Sequence, residues 1–342
     1  MHNIFITDED GGVRNVSFNY LLWFQPSLGA MILTENSLSI LLDARYFWNT
    51  DNIDKNIVYK RLWKQIEIHY LLLKWDIVES IMYALWDSST LISIENSLTY
   101  SYVEKFQKLS NNIAIIQPYF LEQRITKQDD EIKNIKRAIK IIWKVYRQLE
   151  KLNTSWDIAW KTEIQIRQFI ISKIFEFGGS WESFEAIVAY GPNSAIPHHR
   201  AWETIIAEWV LLIDMWALYN WYCSDFSRTF WVWKKSWKTY SKFSKIHAIV
   251  QKAHDDAIAG IKLWNTTASV DKIARDSIQQ AGYGELFIHS TGHWVWLDVH
   301  EVPWVSPKSE HLIEKHMVFT VEPWIYIPWE FWVRIEDIII VS

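Results

Sequence analysis

Cysteine is almost missing from this chain. The single Cys223 excludes an internal disulfide and is compatible with a reducing compartment. No stretch approaches the roughly 20 apolar residues of a membrane span. The opening MHNIFITDEDGG has neither a basic start nor the long apolar segment of a secretory leader. No block of Lys and Arg stands out and the formal net charge is −5, so nothing calls for a nucleic-acid partner. The expectation is a cytoplasmic protein that engages neither nucleic acid nor membrane. Glycine is scarce too: 10 residues in 342, beside 23 tryptophans, where glycine ordinarily supplies about 7% of a chain.

What is present is a set of acids in apolar surroundings. Asp214, Asp225, His293, Glu322 and Glu336 each sit in a short strand-like stretch: LLIDM, YCSDFS, HSTGHWV, FTVEPW and VRIED. Four carboxylates and one imidazole cannot be buried together as bare charges, because desolvation is prohibitive without a counter-charge. A pair of divalent cations is the simplest counter-charge. Oxygen-rich ligation with one histidine suits Mn²⁺, Co²⁺ or Zn²⁺ rather than a metal that prefers sulfur. The alternative is four scattered surface acids and a core histidine.

Hairpin geometry bears on the same point. Asn220-Trp221 joins two strand-like runs, and a two-residue type I′ turn there requires φ > 0 at both positions, hence the usual Asn-Gly. With 220–221 as the turn, Asp214 falls opposite Ser227 and Asp225 lies two residues from Ser227. Both aspartates then project from one face as diagonal neighbours, about 7–8 Å apart at Cα, near enough to converge on metals between them. A bulge would change this register.

The blocks GPNSAIPHHR at 191–200, LLIDMWALYNWYCSDFSRTF at 211–230, HSTGHWVWLDVHEVP at 289–303, MVFTVEPWIYIP at 317–328 and VRIED at 333–337 resemble the Xaa-Pro peptidases. These are the aminopeptidase P and prolidase branch of the pita-bread metallopeptidases, and all five blocks occur in the family's order. The resemblance implies an α/β (α+β) chain, with a pita-bread catalytic domain over 126–342 behind a smaller creatinase-like domain over 1–125. It implies two divalent metal ions, Mn²⁺ first among the candidates. Asp225 and Glu336 would bridge them, Asp214 would complete one site, and His293 with Glu322 the other. It implies proline-containing peptides as substrates and a homodimer. Methionine aminopeptidase shares the ligand set, but the N-terminal domain and the GPNSAIPHH block favour the Xaa-Pro branch.

His198, His289 and His300 match positions where the family places histidines around the metals without making them ligands of the His293 kind. An imidazole there can donate to a developing oxyanion or protonate a leaving nitrogen. His199 reads as ordinary. Glu322 or Glu336 would accept the proton of the attacking water, while Asp298 and Arg334 would orient ligands and offset charge. Some dipeptidases of the family carry an arginine soon after HExP; here HEVP is followed by Trp304, which tilts the reading toward an Xaa-Pro aminopeptidase. Lys308 could replace that arginine, so an Xaa-Pro dipeptidase remains the alternative.

The tryptophans disturb this reading. Trp216, Trp294, Trp296, Trp324 and Trp332 stand at family glycines, and Trp23 and Trp160 fit the same substitution. One reading is that UGA codons translated as glycine in the source organism are written here as tryptophan. The other is a truly tryptophan-rich chain whose cleft is filled with indoles, an inactive peptide- or protein-binding relative.

Upstream, Ser39–Asp43, Ile92–Ile94 and Ala114–Ile116 read as strands, and YLLWF at 20–24 and DARYF at 43–47 look like landmarks of the creatinase-type domain. A helix is expected over Asp129–Leu152, with Ile132, Ile135, Ile139, Ile142, Tyr146 and Leu149 on one face. Its Lys and Arg residues read as a solvated face.

Overall fold

In the computed structural model, residues 1–48, 50–85, 90–182, 185–233, 238–298 and 300–342 are described, with backbone only at 52 and 238. Two units divide the chain, Met1–Arg124 and Ile125–Ser342. Among the described residues no helix is long and apolar enough to cross a membrane.

The first unit is built on a mixed six-stranded sheet. Its strands are β1 (His2–Asp8), β2 (Leu28–Leu33), β3 (Ser37–Leu42), β4 (Glu67–Leu72), β5 (Ile92–Glu95) and β6 (Ile113–Ile116), in the order β4-β3-β2-β1-β5-β6. The chain enters through the antiparallel meander β1–β2–β3 and then adds parallel strands at both edges. Parallel additions need a crossover, and the helices Lys55–Leu62, Ile77–Leu85 and Tyr100–Leu109 lie in those connections. Ile4, Ile6, Ile32 and Leu41 from the strands pack with Val78, Ile81 and Phe106 from the helices.

The second unit is an antiparallel sheet with a pair of helices against each face. Its strands are β7 (Ile187–Tyr190), β8 (Val210–Met215), β9 (Leu218–Tyr219), β10 (Tyr222–Cys223), β11 (Phe226–Trp231), β12 (Gly292–Trp294), β13 (Glu301–Val305), β14 (Val318–Val321), β15 (Trp324–Ile327) and β16 (Phe331–Ile340). The main sheet runs β13-β12-β14-β16-β11-β8-β7, with β15 also paired to β16. Side chains along a strand alternate between faces, and the two cores divide accordingly. Ile187, Ala189, Val210 and Leu212 pack with Ile246, Val250 and Ala274 of the helices Lys238–Ala259 and Thr267–Gln280. Val188, Leu211, Ile213 and Met215 pack with Ile142, Val145, Ile166 and Ile170 of the helices Asp129–Thr154 and Glu163–Glu176.

The helix Asp129–Thr154 starts where a capping box is written. Glu131 accepts from the Gln128 backbone N–H at 2.8 Å, and three acids occupy the first turn, where the helix dipole favours them. Its buried seam is Ile132, Ile135, Ala138, Ile142, Val145 and Leu149, whereas Ile139 and Tyr146 are only partly buried. The expected stripe is therefore rotated slightly, toward Ala138 and Val145, and Val145 packs in the core shared with the sheet.

Asn220 (φ 49°) and Trp221 (φ 70°) both adopt the left-handed conformation of a type I′ turn. The register follows from it: Ser227 pairs with Asp214 across β8 and β11, and Tyr222 pairs with Tyr219 nearer the turn. The same backbone region recurs at Trp23, Trp63, Trp156, Trp160, Trp233, Trp264 and Trp329. A left-handed conformation costs a residue with a Cβ roughly 1–2 kcal/mol.

Candidate functional site

Ser227 on β11 faces Asp214 on β8 and Glu336 on β16, so these side chains form one row across three strands. Asp225 precedes β11 on the same face. His293 is central in β12, and Glu322 follows β14 directly. Oxygen or nitrogen atoms of Asp225, His293 and Glu336 lie within 4.8 Å of one another, and all three residues are buried. His293 Nε2 stands 3.4 Å from Asp225 Oδ2 and 3.5 Å from Glu322 Oε1. Asp214 is tied to the row by the Ser227 hydroxyl, at 2.9 Å, and by a short contact to the Arg334 guanidinium. The five candidate ligands therefore share one buried cluster.

Its orientation is held by neighbouring groups. The His293 Nδ1–H donates to the Trp294 carbonyl at 3.0 Å, which leaves the Nε2 lone pair facing Asp225 and Glu322. Thr320 Oγ1 accepts from the His293 backbone N–H at 3.1 Å and lies 3.4 Å from Glu322 Oε1. Arg228 Nη1 donates to the Glu336 carbonyl oxygen at 2.6 Å, and its Nη2 donates to both carboxylate oxygens of Asp337 at 3.0 and 2.8 Å.

The electrostatics are those of an acid cluster short of positive charge. Four carboxylates face one buried guanidinium, Arg334, which is held charged by Asp214 and Glu336 although burial opposes it. Burial and the Glu336 charge push Asp225 well above the usual carboxylate range, and burial with Glu336 does the same to Glu322. Burial and Asp214 raise Glu336 to about 7. Both Oδ atoms of Asp225 are buried without a hydrogen bond, which is costly unless a cation takes that place. An imidazole Nε2 facing carboxylates, an orphaned carboxylate and an oxygen-rich donor set fit divalent cations.

A pocket of about 150 Å³ opens over the cluster. Asp214, His293, Glu322, Arg334 and Glu336 form part of its lining, joined by His198, His289 and His300. His198 sits in a turn with φ 55°. The His300 ring lies 4.5 Å from that of His293 and 5.7 Å from that of Trp216. His300 keeps one side exposed; burial of the rest holds its pKa below the usual imidazole value, against the pull of Asp214. Ile187, Ile196, Pro197 and Leu212 give one apolar wall, while Trp216, Trp324 and Trp332 crowd the remainder.

His199 points elsewhere, to Glu163 at 2.8 Å. Asp298 meets Glu301 Oε1 through its backbone N–H at 3.0 Å and is not among the pocket residues. Lys308 shares a separate open depression with Trp304. Sequence reasoning missed Ser227 as a participant, although the hairpin register names it as the residue opposite Asp214. It also missed Thr320 and Glu163, which carry no motif signal.

Metallopeptidase family M24 matches residues 133–342. Among curated proteins, a putative Xaa-Pro aminopeptidase of Mycoplasma genitalium is 34% identical over 338 residues, covering 94% of this chain and 86% of its own length. An Xaa-Pro dipeptidase of Pyrococcus furiosus is 34% identical over 265 residues, covering 76% of this chain and 74% of its own. Among solved structures, the prolidase from Pyrococcus furiosus superposes with a TM-score of 0.85 at 28% identity, over 100% of this chain and 93% of that one. The X-Pro aminopeptidase from Thermotoga maritima superposes with a TM-score of 0.82 at 26% identity, over 99% of this chain and 92% of that one. The α/β architecture is thus the pita-bread fold behind a smaller N-terminal domain, and the chain belongs to metallopeptidase family M24.

Proposed function

We propose that this metallopeptidase hydrolyses the N-terminal Xaa-Pro bond of peptides, as an Xaa-Pro aminopeptidase using two divalent metal ions. The observation that carries the reading is the convergence of Asp225, His293 and Glu336 within 4.8 Å, beside the buried Asp214, the partly buried Glu322 and one guanidinium. In this scheme Asp214, Asp225, His293, Glu322 and Glu336 would together hold the ions. Bound there, the ions would supply Lewis-acid activation of water and of the scissile carbonyl near neutral pH.

The chain's own residues supply the rest. Glu322, on the pocket lining, takes up the proton given up by the attacking water. His198, His289 and His300 line the same cavity and are assigned to hydrogen-bond the carbonyl oxygen and to protonate the departing prolyl nitrogen. Arg334 pairs with Asp214 and fixes the orientation of its carboxylate. An Xaa-Pro bond has no N–H, so recognition rests on shape, and the wall of Ile187, Ile196, Pro197 and Leu212 suits an apolar pyrrolidine ring.

The relatives include proteins named for each activity, and the choice here rests on Trp304 after the HEVP segment. No arginine stands there to hold a free substrate carboxylate, and Lys308 lines a different depression. The ratio of kcat/KM on Xaa-Pro-Yaa tripeptides to that on Xaa-Pro dipeptides tests it. A ratio well above one supports the aminopeptidase, and preference for dipeptides makes the chain an Xaa-Pro dipeptidase. One observation favours an inactive, peptide-binding relative: three indoles reduce the cavity to about 150 Å³, below the roughly 300 Å³ at which ordinary small-molecule sites begin.

A further inference from the structure

Among the described residues, eleven other than glycine have φ in the left-handed region, and eight of them are tryptophan: Trp23, Trp63, Trp156, Trp160, Trp221, Trp233, Trp264 and Trp329. The chain also holds 16 Phe and 15 Tyr, and none appears in that set. Aromatic bulk is thus not tolerated there in general. The remaining three are His198, Asn220 and His316.

The local roles are those of glycine. Trp23 and Trp63 end the helices Ser17–Leu22 and Lys55–Leu62 in left-handed conformation, their backbone N–H groups closing onto Asn19 and Tyr59, where a helix terminates on glycine. Trp221 is the second residue of a type I′ turn, and Trp329 lies in the turn between β15 and β16. Their side chains gain little: Trp329 is 91% exposed and Trp63 82%. Inside, the indole N–H groups of Trp209 and Trp332 are buried without a hydrogen-bond partner. Trp143 is the contrast. It sits mid-helix, its ring 4.9 Å from Phe226 and beneath the Arg228 guanidinium at 5.2 Å, a normal tryptophan environment.

We infer that the codons written as tryptophan at these left-handed positions are read as glycine when the protein is made in its own organism. The same reading applied to Trp216, Trp324 and Trp332 removes three indoles from the pocket lining and enlarges the cavity over the acid cluster. The assignment stands on backbone geometry and does not depend on the peptidase reading.

Peptide masses of the protein purified from its own organism decide it, over 211–233 and 324–334. Glycine masses at 221, 233 and 329 are expected; tryptophan masses there overturn the inference. A second measurement uses recombinant chain with tryptophan as written. Trp221→Gly should raise its Tm by about 2–4 °C, and an unchanged or lowered Tm counts against the claim.

A second inference comes from Glu163, the first residue of its helix and fully buried. Its Oε1 accepts from the Tyr190 N–H at 2.7 Å and from Asn193 Nδ2 at 3.0 Å. Its Oε2 accepts from His199 Nε2 at 2.8 Å and the Trp202 N–H at 3.1 Å. All four donors belong to residues 190–202, the segment that carries His198 into the pocket. We propose that Glu163 is a positioning residue that acts through His198. This rests on the peptidase reading, and wild-type activity on an Xaa-Pro-Yaa tripeptide establishes that reading first.

Glu163→Gln is then compared in wild-type and His198→Ala backgrounds, with metal content measured in each. The expectation is a fall in kcat of about tenfold in the wild-type background, KM within about twofold, and no further fall in the His198→Ala background. Equal losses in both backgrounds overturn the proposal. His199→Gln, which leaves Glu163 in place, guards against a misfolded first variant. It should give a smaller loss that also vanishes without His198, and a loss that persists there counts against the role.

Discussion

Ser227 Oγ lies 2.6 Å from Glu336 Oε2 and 2.9 Å from Asp214 Oδ1, and a hydroxyl has one proton to give. Only one of the two carboxylates can accept it at a time. The other faces an oxygen lone pair, and the arrangement is satisfied when a proton or a cation sits on the Glu336 side. Ser227 thereby couples the two acids that the proposed scheme assigns to different roles.

Removing this hydroxyl should loosen the candidate metal site without unfolding it. Ser227→Ala is expected to weaken divalent-metal affinity about 10–100-fold, the usual effect of losing an outer partner of a ligand. Isothermal titration of metal into the metal-free variant checks this, and affinity equal to wild type contradicts it.

Arg334 is the buried guanidinium paired with Asp214. Arg334→Ala should destabilise the metal-free protein by about 3–5 kcal/mol, because Asp214 is left buried and unpaired. Denaturant unfolding with and without metal reads the effect. Added metal should recover part of the loss, since it restores a counter-charge.

Two carboxylates should respond to pH in opposite senses. Burial and Asp214 raise Glu336 from an ordinary 4.5 to about 7 in the metal-free protein. Its contribution to stability is therefore complete below pH 4.5 and is lost as pH rises through about 7. Glu163 is held below 4.5: burial opposes this, but hydrogen bonds from His199 and Asn193 prevail. Its contribution is present above pH 4.5 and is lost as pH falls through its lowered value. Glu163→Gln should flatten the acid limb of Tm against pH. Metal uptake near pH 6 should release protons from the Glu336 cluster, more than at pH 8, measurable by titration in buffers of different ionisation enthalpy.

Much of the C-terminal unit was readable because one turn and one alternation determine several contacts together. Asn220-Trp221 as a two-residue turn places Ser227 opposite Asp214, and the strands have that register. The helix beginning at Asp129 was readable from its period, but not its exact face. Ala138 carries no strong hydrophobic signal, yet is buried. Glu163 was invisible for a different reason. An acid in the first turn of a helix is ordinary, and only the fold brings residues 190–202 onto it. Thr320 is likewise one threonine in a buried strand until β12 lies beside it.

In the proposed function the acid cluster holds two divalent ions on which peptide hydrolysis depends. The most direct measurement is metal content per chain of protein purified from its own organism, alongside hydrolysis of an Xaa-Pro-Yaa tripeptide before chelation, after it, and after adding back Mn²⁺, Co²⁺ or Zn²⁺. The account predicts about two ions per chain, activity abolished by chelation, and recovery with at least one of the three. Full activity in metal-free protein would contradict it.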